Sequence, residues 1–176
     1  YRVGLIAKHL RKSLADPNPR VRAAAVNALS PVQTVENESE IAGMLSDPDA
    51  YVRQRAAMAL LRMGSATATA RIRETAEEPP ELRPIWLAGG VLQGEILPRE
   101  AAANPDTARF LGELIPEREA AAIVGESADP AQRKRAFRAL QVLSTERARR
   151  AAESLSSDPD PALREEARDW LERREP

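Results

Sequence analysis

The sequence predicts an all-α protein: a right-handed α-solenoid of stacked antiparallel helix pairs, irregular in its middle. Three observations carry this expectation. First, one phrase recurs. It reads DPNPRVRAAAVNAL from Asp16, DPDAYVRQRAAMAL from Asp47, DPAQRKRAFRAL from Asp129 and DPDPALREEARDWL from Asp158, with looser copies EPPELRPIWL from Glu78 and NPDTARFLGEL from Asn104. Second, its starts lie 31, 31, 26, 25 and 29 residues apart. A period of that size marks a stack of small units that cannot bury a core alone. Third, 32 of the 176 residues are Ala and only 3% are aromatic, a composition suited to helices that approach closely. Residues 1–176 therefore read as a single array, with units starting near 16, 47, 78, 104, 129 and 158.

The chain opens with a helix over about Val3–Ala15, a half repeat that turns Leu5, Ile6, Leu10 and Leu14 inward. Each phrase then starts a helix. Its Asp is expected to cap the free N–H groups, and the following Pro has a helical φ and needs no donor. Apolar residues recur at offsets of 4, 7 and 8, the stripe of a half-buried helix: Val21, Ala25, Ala28 and Leu29; Val52, Ala56, Ala59 and Leu60; Leu163, Ala167, Trp170 and Leu171. Between phrases lie second amphipathic helices over Val35–Ser46, Ala66–Ala76, Glu117–Ser127 and Glu146–Ser157, with Ile41 and Leu45, Ile72, Val124 and Leu155 among their inward residues. A closing helix spans about 160–174, where Trp170 seals the end.

The middle departs from the pattern. Pro84 interrupts the phrase, and Gly89-Gly90 stands where other copies keep Ala-Leu. Paired Gly weakens a helix by roughly 1 kcal/mol per residue, or admits a close neighbour. Residues 95–103 are too short for a full second helix, so a truncated unit is expected, with the 94–104 connection looser than the repeats beside it.

The phrase Asp-Pro-x-x-x-Val-Arg followed by an Ala-rich helix resembles the HEAT-like repeats of the phycobilisome-lyase type, over nearly the whole chain. The resemblance implies that the first helix of each pair lies on a convex side and the second lines a concave side. It also implies protein binding as the usual role, with chromophore handling in a minority of such arrays.

Charge is balanced overall at −1, but residues 1–75 carry 11 Lys/Arg against 7 Asp/Glu while residues 76–128 carry 4 against 10. The acidic middle argues against a continuous basic groove for nucleic acid. There is no Cys, which excludes disulfides and thiolate chemistry, and no apolar run approaches a membrane span. His9 is the only His and cannot build a His-based metal site; it reads as solvent-facing or end-capping. Acidic pairs such as Glu77/Glu78 and Glu165/Glu166 carry no sign of burial, and no phosphate loop, nucleophile elbow or metal spacing is present. No cofactor and no catalysis are expected.

The Arg ladder Arg22, Arg53, Arg135 and Arg164, with Arg83 and Arg109 displaced, reads as structural: each Arg is expected to pair with a repeat-start Asp or a carbonyl of its own or the next unit. The alternative is a row of phosphate or carboxylate contacts. The expected function is a protein–protein interaction scaffold that binds through its concave second-helix face, with Glu40, Arg71, Arg147, Arg150 and the irregular-copy Trp86 as candidate contacts. The rival classes are a bilin lyase-like enzyme subunit and a nucleic-acid-binding array. A chain that begins at Tyr1 suggests a piece of a longer protein. The sequence leaves the location open. A cytoplasmic one is favoured; the alternative is the soluble part of a membrane-anchored protein whose upstream segment would let Lys8, Arg11, Lys12, Arg20 and Arg22 face anionic lipid.

Overall fold

A computed structural model of the chain describes residues 2–64, 68–75 and 79–174. The expected unit start at Glu78, the Glu77/Glu78 pair and the ends of the Ala66–Ala76 helix lie outside the described residues, as does the side chain of Leu5. The fold is the expected all-α solenoid: every regular element among the described residues is helical. In order these are α1 (Arg2–Ser13), α2 (Pro19–Leu29), α3 (Val35–Gly43), α4 (Ala50–Met63), α5 (Ala68–Thr75) and α6 (Arg83–Gln93). They continue with α7 (Pro98–Ala102), α8 (Pro105–Leu114), α9 (Glu117–Glu126), α10 (Pro130–Leu143), α11 (Glu146–Leu155) and α12 (Pro161–Glu172). Short 3-10 turns, Met44–Ser46 and Pro80–Leu82, lead toward α4 and α6.

The helix starts correct one expectation. The caps of α2, α4 and α12 are Asn18, Asp49 and Asp160, not Asp16, Asp47 and Asp158. In a phrase such as Asp47-Pro48-Asp49 both acids are short enough to cap, but the second stands next to the helix. Its Oδ1 accepts from the Tyr51 and Val52 N–H groups. The first acid instead accepts the N–H of the second, at 2.9 Å for Asp47 and 2.8 Å for Asp16 and Asp158. Asp129, by contrast, is a cap, and its own N–H donates to Ser127 Oγ. Ser127 thus holds the place of Asp47. In the copy at Asp129 the Asp-Pro is the second polar position of the phrase rather than the first, and for that reason this copy is two residues shorter from its Asp to its Leu. Asn104 caps α8 in the same way.

The chain forms two compact units, Tyr1–Trp86 and Leu87–Pro176. Each is organised around one phrase helix of 14 residues. In the first, α2, α3 and α5 all pack on α4, which buries Val52 and the whole run Ala56–Leu60. Ala56, Ala57 and Ala59 are fully covered and let neighbouring helices approach closely. In the second, α7, α8, α9, α11 and α12 pack on α10, whose Phe137 and Leu140 are fully buried.

Most of the expected stripe is inside: Ile41, Leu45, Ile72, Ala120, Val124, Ala148, Ala152, Leu155, Leu163 and Ala167 are buried. Two helices differ. Val21 and Ala28 of α2 are exposed, and Ala23, Ala25, Val26 and Leu29 form its buried face. The counterpart Val52 is buried because α4 has helices on several sides, whereas α2 is the first phrase helix of its unit. On α1, Ile6 is exposed and Ala7 is buried, as is Leu14 just past the end of the helix.

The irregular middle has a local explanation. Helix α6 ends at Gly94, which has φ +82, a conformation that side-chain-bearing residues rarely adopt. The Glu95 and Ile96 N–H groups both turn back to the Gly90 carbonyl, at 2.8 and 3.2 Å. That return presses Ile96 onto Gly90, where a Cβ would stand 2.5 Å from Ile96 Cδ1. Gly90 therefore admits a close neighbour. The following helix α7 has only 5 residues, the truncation expected from the sequence, and is anchored by buried Ile96 and Ala101.

Candidate functional site

The Arg ladder is the most ordered polar arrangement, and it follows one rule. The ladder Arg stands four residues after each cap: Arg22 after Asn18, Arg53 after Asp49, Arg133 after Asp129 and Arg164 after Asp160. One helical turn brings its guanidinium back over the start of its own phrase. Nη1 donates to the carbonyl of Asp16, Asp47, Ser127 or Asp158 respectively, at 2.9, 2.8, 2.8 and 2.6 Å.

The other side of the guanidinium reaches the next phrase. Arg22 grips Asp47 with two parallel bonds of 2.8 and 2.7 Å, and Arg133 grips Asp158 with bonds of 2.9 and 2.8 Å. Arg53 reaches Glu81 through Nε and Nη2. In the Arg22–Asp47 and Arg133–Asp158 rungs, a carboxylate that orders the next cap meets an Arg that orders its own loop. This is the structural role expected from the sequence, with one replacement: Arg133 takes the place given to Arg135, which is exposed. The two-residue phase of the Asp129 copy accounts for the shift. Of the displaced pair, Arg83 is exposed and Arg109 lies over the Phe110 ring at 4.3 Å.

These contacts set the protonation of the ladder. The hydrogen bonds from Arg22 hold Asp47 below the usual carboxylate range; burial opposes this, and the Asp49 N–H adds to it. Burial pushes Asp158 upward, but Arg133, the Asp160 N–H and Arg164 together outweigh it and leave this carboxyl lowered as well. A lowered carboxylate contributes stability above its unfolded pKa of about 4, and that contribution is lost as pH falls through the lower folded value. Urea midpoints of the parent should therefore fall steeply below about pH 4. The doubly substituted Asp47→Asn, Asp158→Asn chain should start lower and show a shallower acid limb. Equal slopes for the two chains would refute this role for the rungs.

Each unit carries a groove on its phrase helices. In the first, a depression of about 630 Å³ lies between α2 and α4, lined by Ala23, Ala24, Asn27 and the half-exposed Tyr51. In the second, a groove of about 990 Å³ lies between α7, α10 and α12. Trp170 stands on its wall. One ring contact is with Phe137, edge to face at 6.0 Å, and the Arg174 guanidinium lies over the ring at 4.4 Å. Trp170 is only partly buried, so it both closes the end of the core and lines a surface.

The residues singled out from sequence lie elsewhere. Glu40 on α3 and Arg71 on α5 are exposed. On α11, Arg147 is paired with Glu117 at 3.1 Å and Arg150 with Glu146 at 3.4 Å. Trp86 on α6 is partly buried. None of the five lines either groove. In the basic front, Arg11 donates to the buried Asn37, which in turn donates to the Val32 carbonyl, and Arg22 is a rung, so both are structural. Among the described residues no cluster of His, Asp or Glu could hold a metal ion, and no helix is long and apolar enough to cross a membrane.

Residues 7–88 match a family model described as HEAT repeats. The chain is similar in fold to a solved structure of human deoxyhypusine hydroxylase in complex with glycerol, at 14% identity and a TM-score of 0.44. That likeness covers 94% of this chain and 83% of the other. No curated protein matches the chain.

Proposed function

We propose that the chain, a HEAT-like repeat protein, works as a non-catalytic scaffold for protein–protein interaction. HEAT repeats generally mediate protein interactions. The observation that carries the reading here is the pairing of a spent polar network with open grooves. The shifted ladder carboxylates Asp47 and Asp158 face Arg22 and Arg133, so their charge is used in packing. The grooves between phrase helices instead present partly exposed Tyr51 and Trp170, side chains suited to contact a partner. This favours the phrase-helix face. The face of α3, α5 and α11, with Glu40, Arg71, Arg147 and Arg150, is the alternative.

Photo-crosslinking separates the two. A benzoyl-phenylalanine residue placed at Tyr51 or Leu97 is expected to capture a defined protein, while the same residue at Glu40 or Arg150 does not. The captured protein, once purified, should bind the chain saturably. Adducts only from Glu40 and Arg150 would move the interface to the other face. Adducts from none of the four positions would end the scaffold reading. The rival reading, a bilin lyase-like enzyme subunit, is separated by an absorbance titration with a free bilin: a spectrum that shifts on binding would favour it over the scaffold.

A further inference from the structure

We infer that the groove between α7, α10 and α12 takes an acidic segment of a partner protein that carries one apolar anchor residue. This rests on the scaffold reading and names the chemistry of its partner. The first support is shape. At about 990 Å³ the groove is large enough for several side chains. Its largest apolar contacts are Leu97, 46% exposed, and the open part of Trp170.

The second support is charge. The lining holds Arg99, Lys134, Arg138, Arg173 and Arg174 against Glu165, Glu166 and Asp169, an excess of two cations. Moreover, the carboxylate on the floor is held loosely. Glu166 meets Lys134 at 3.6 Å and Arg138 and Gln141 at 3.4 Å each, whereas the ladder rungs close at 2.7–2.9 Å. Donors engaged at such lengths retain the capacity to draw in a second carboxylate, in a setting where partial burial limits screening by salt. An acidic strand or helix would thus find cations along the groove, and its Leu, Phe or Met would rest between Leu97 and Trp170.

The experiment pans the full chain against a random displayed peptide library and measures enriched peptides by fluorescence anisotropy. The expected peptides carry carboxylates around a single Leu, Phe or Met. Their Kd should rise about tenfold with Lys134→Glu and with Leu97→Asp, the usual scale for losing an interface charge or anchor. Both side chains are at least one-third exposed, and circular dichroism verifies that the variants fold. Glu40→Lys, on α3, should leave the Kd unchanged.

Enrichment of peptides without an acidic excess overturns the inference, as does indifference of acidic peptides to both variants. So does binding to phosphatidylserine vesicles with no peptide enriched. If the inference fails while Tyr51 still crosslinks a protein, the scaffold reading stands and only this groove's partner class is wrong.

Discussion

Deleting residues 158–176 is expected to prevent the chain from remaining a soluble monomer. Helix α12 packs on α11 and on α10, and its Leu163 and Ala167 are almost fully covered there. Removing it strips Leu155 and Ala152 on α11 of their cover and opens the edge of Phe137 that Trp170 contacts. Burying one Leu-sized side chain is worth about 1.5–3 kcal/mol, so the combined loss is on the order of 5 kcal/mol, comparable with the whole stability of many domains. The deletion also removes Asp158 and leaves Arg133, itself buried, without its carboxylate. Size-exclusion chromatography should show self-association or aggregation. Because a truncated chain can simply fail to express, Leu163→Ala serves as a second test, with an expected loss of about 2–5 kcal/mol in urea unfolding. A truncated chain that elutes as a monomer with an unchanged midpoint would refute the account.

The ladder gives the second large effect. Asp47→Ala should lower stability by about 2–3 kcal/mol, the scale of a lost charge-assisted hydrogen bond with its partner left behind. That exceeds what a helix cap usually contributes, about 1 kcal/mol. Two losses combine. Arg22 keeps its bonds to the Asp16 and Pro17 carbonyls but loses both bonds to the next phrase, and the Asp49 N–H loses its acceptor. Asp49→Ala removes only a cap, and should cost less. Thermal unfolding of the two variants side by side decides the matter. If Asp49→Ala proves the more damaging, Asp47 does not act as a rung.

Much of this architecture is visible one helical turn at a time. The phrase places caps, Pro and apolar stripes at local offsets, and a helix responds to exactly such short-range terms: an N-terminal acceptor, a missing donor at its first position, and one face that excludes water. Helices α3, α9, α11 and α12 therefore begin within a residue or so of where the periodicity puts them. The presence of a recurring Arg was also legible, because the phrase repeats it. The two-residue difference at Asp129 shows in the length of its phrase, but which of Arg133 and Arg135 joins the ladder does not, since both stand a short step from the Asp-Pro.

The sequence by itself determined that the chain is a row of Ala-rich helices, where most of them start, and that its sixth helix would meet a truncated successor. Only the tertiary structure decided which acid of Asp-Pro-Asp caps and which bridges, because both fit locally and only one meets an Arg 25 residues away. It alone decided that Val21 stays in water while Val52 does not, since their surroundings differ in the helices packed around them. It also left Glu40, Arg71, Arg147 and Arg150 outside the lining of the grooves on the phrase helices. Periodicity gives each helix a buried face; the spacing between neighbouring helices, set by packing, decides where the surface stays open.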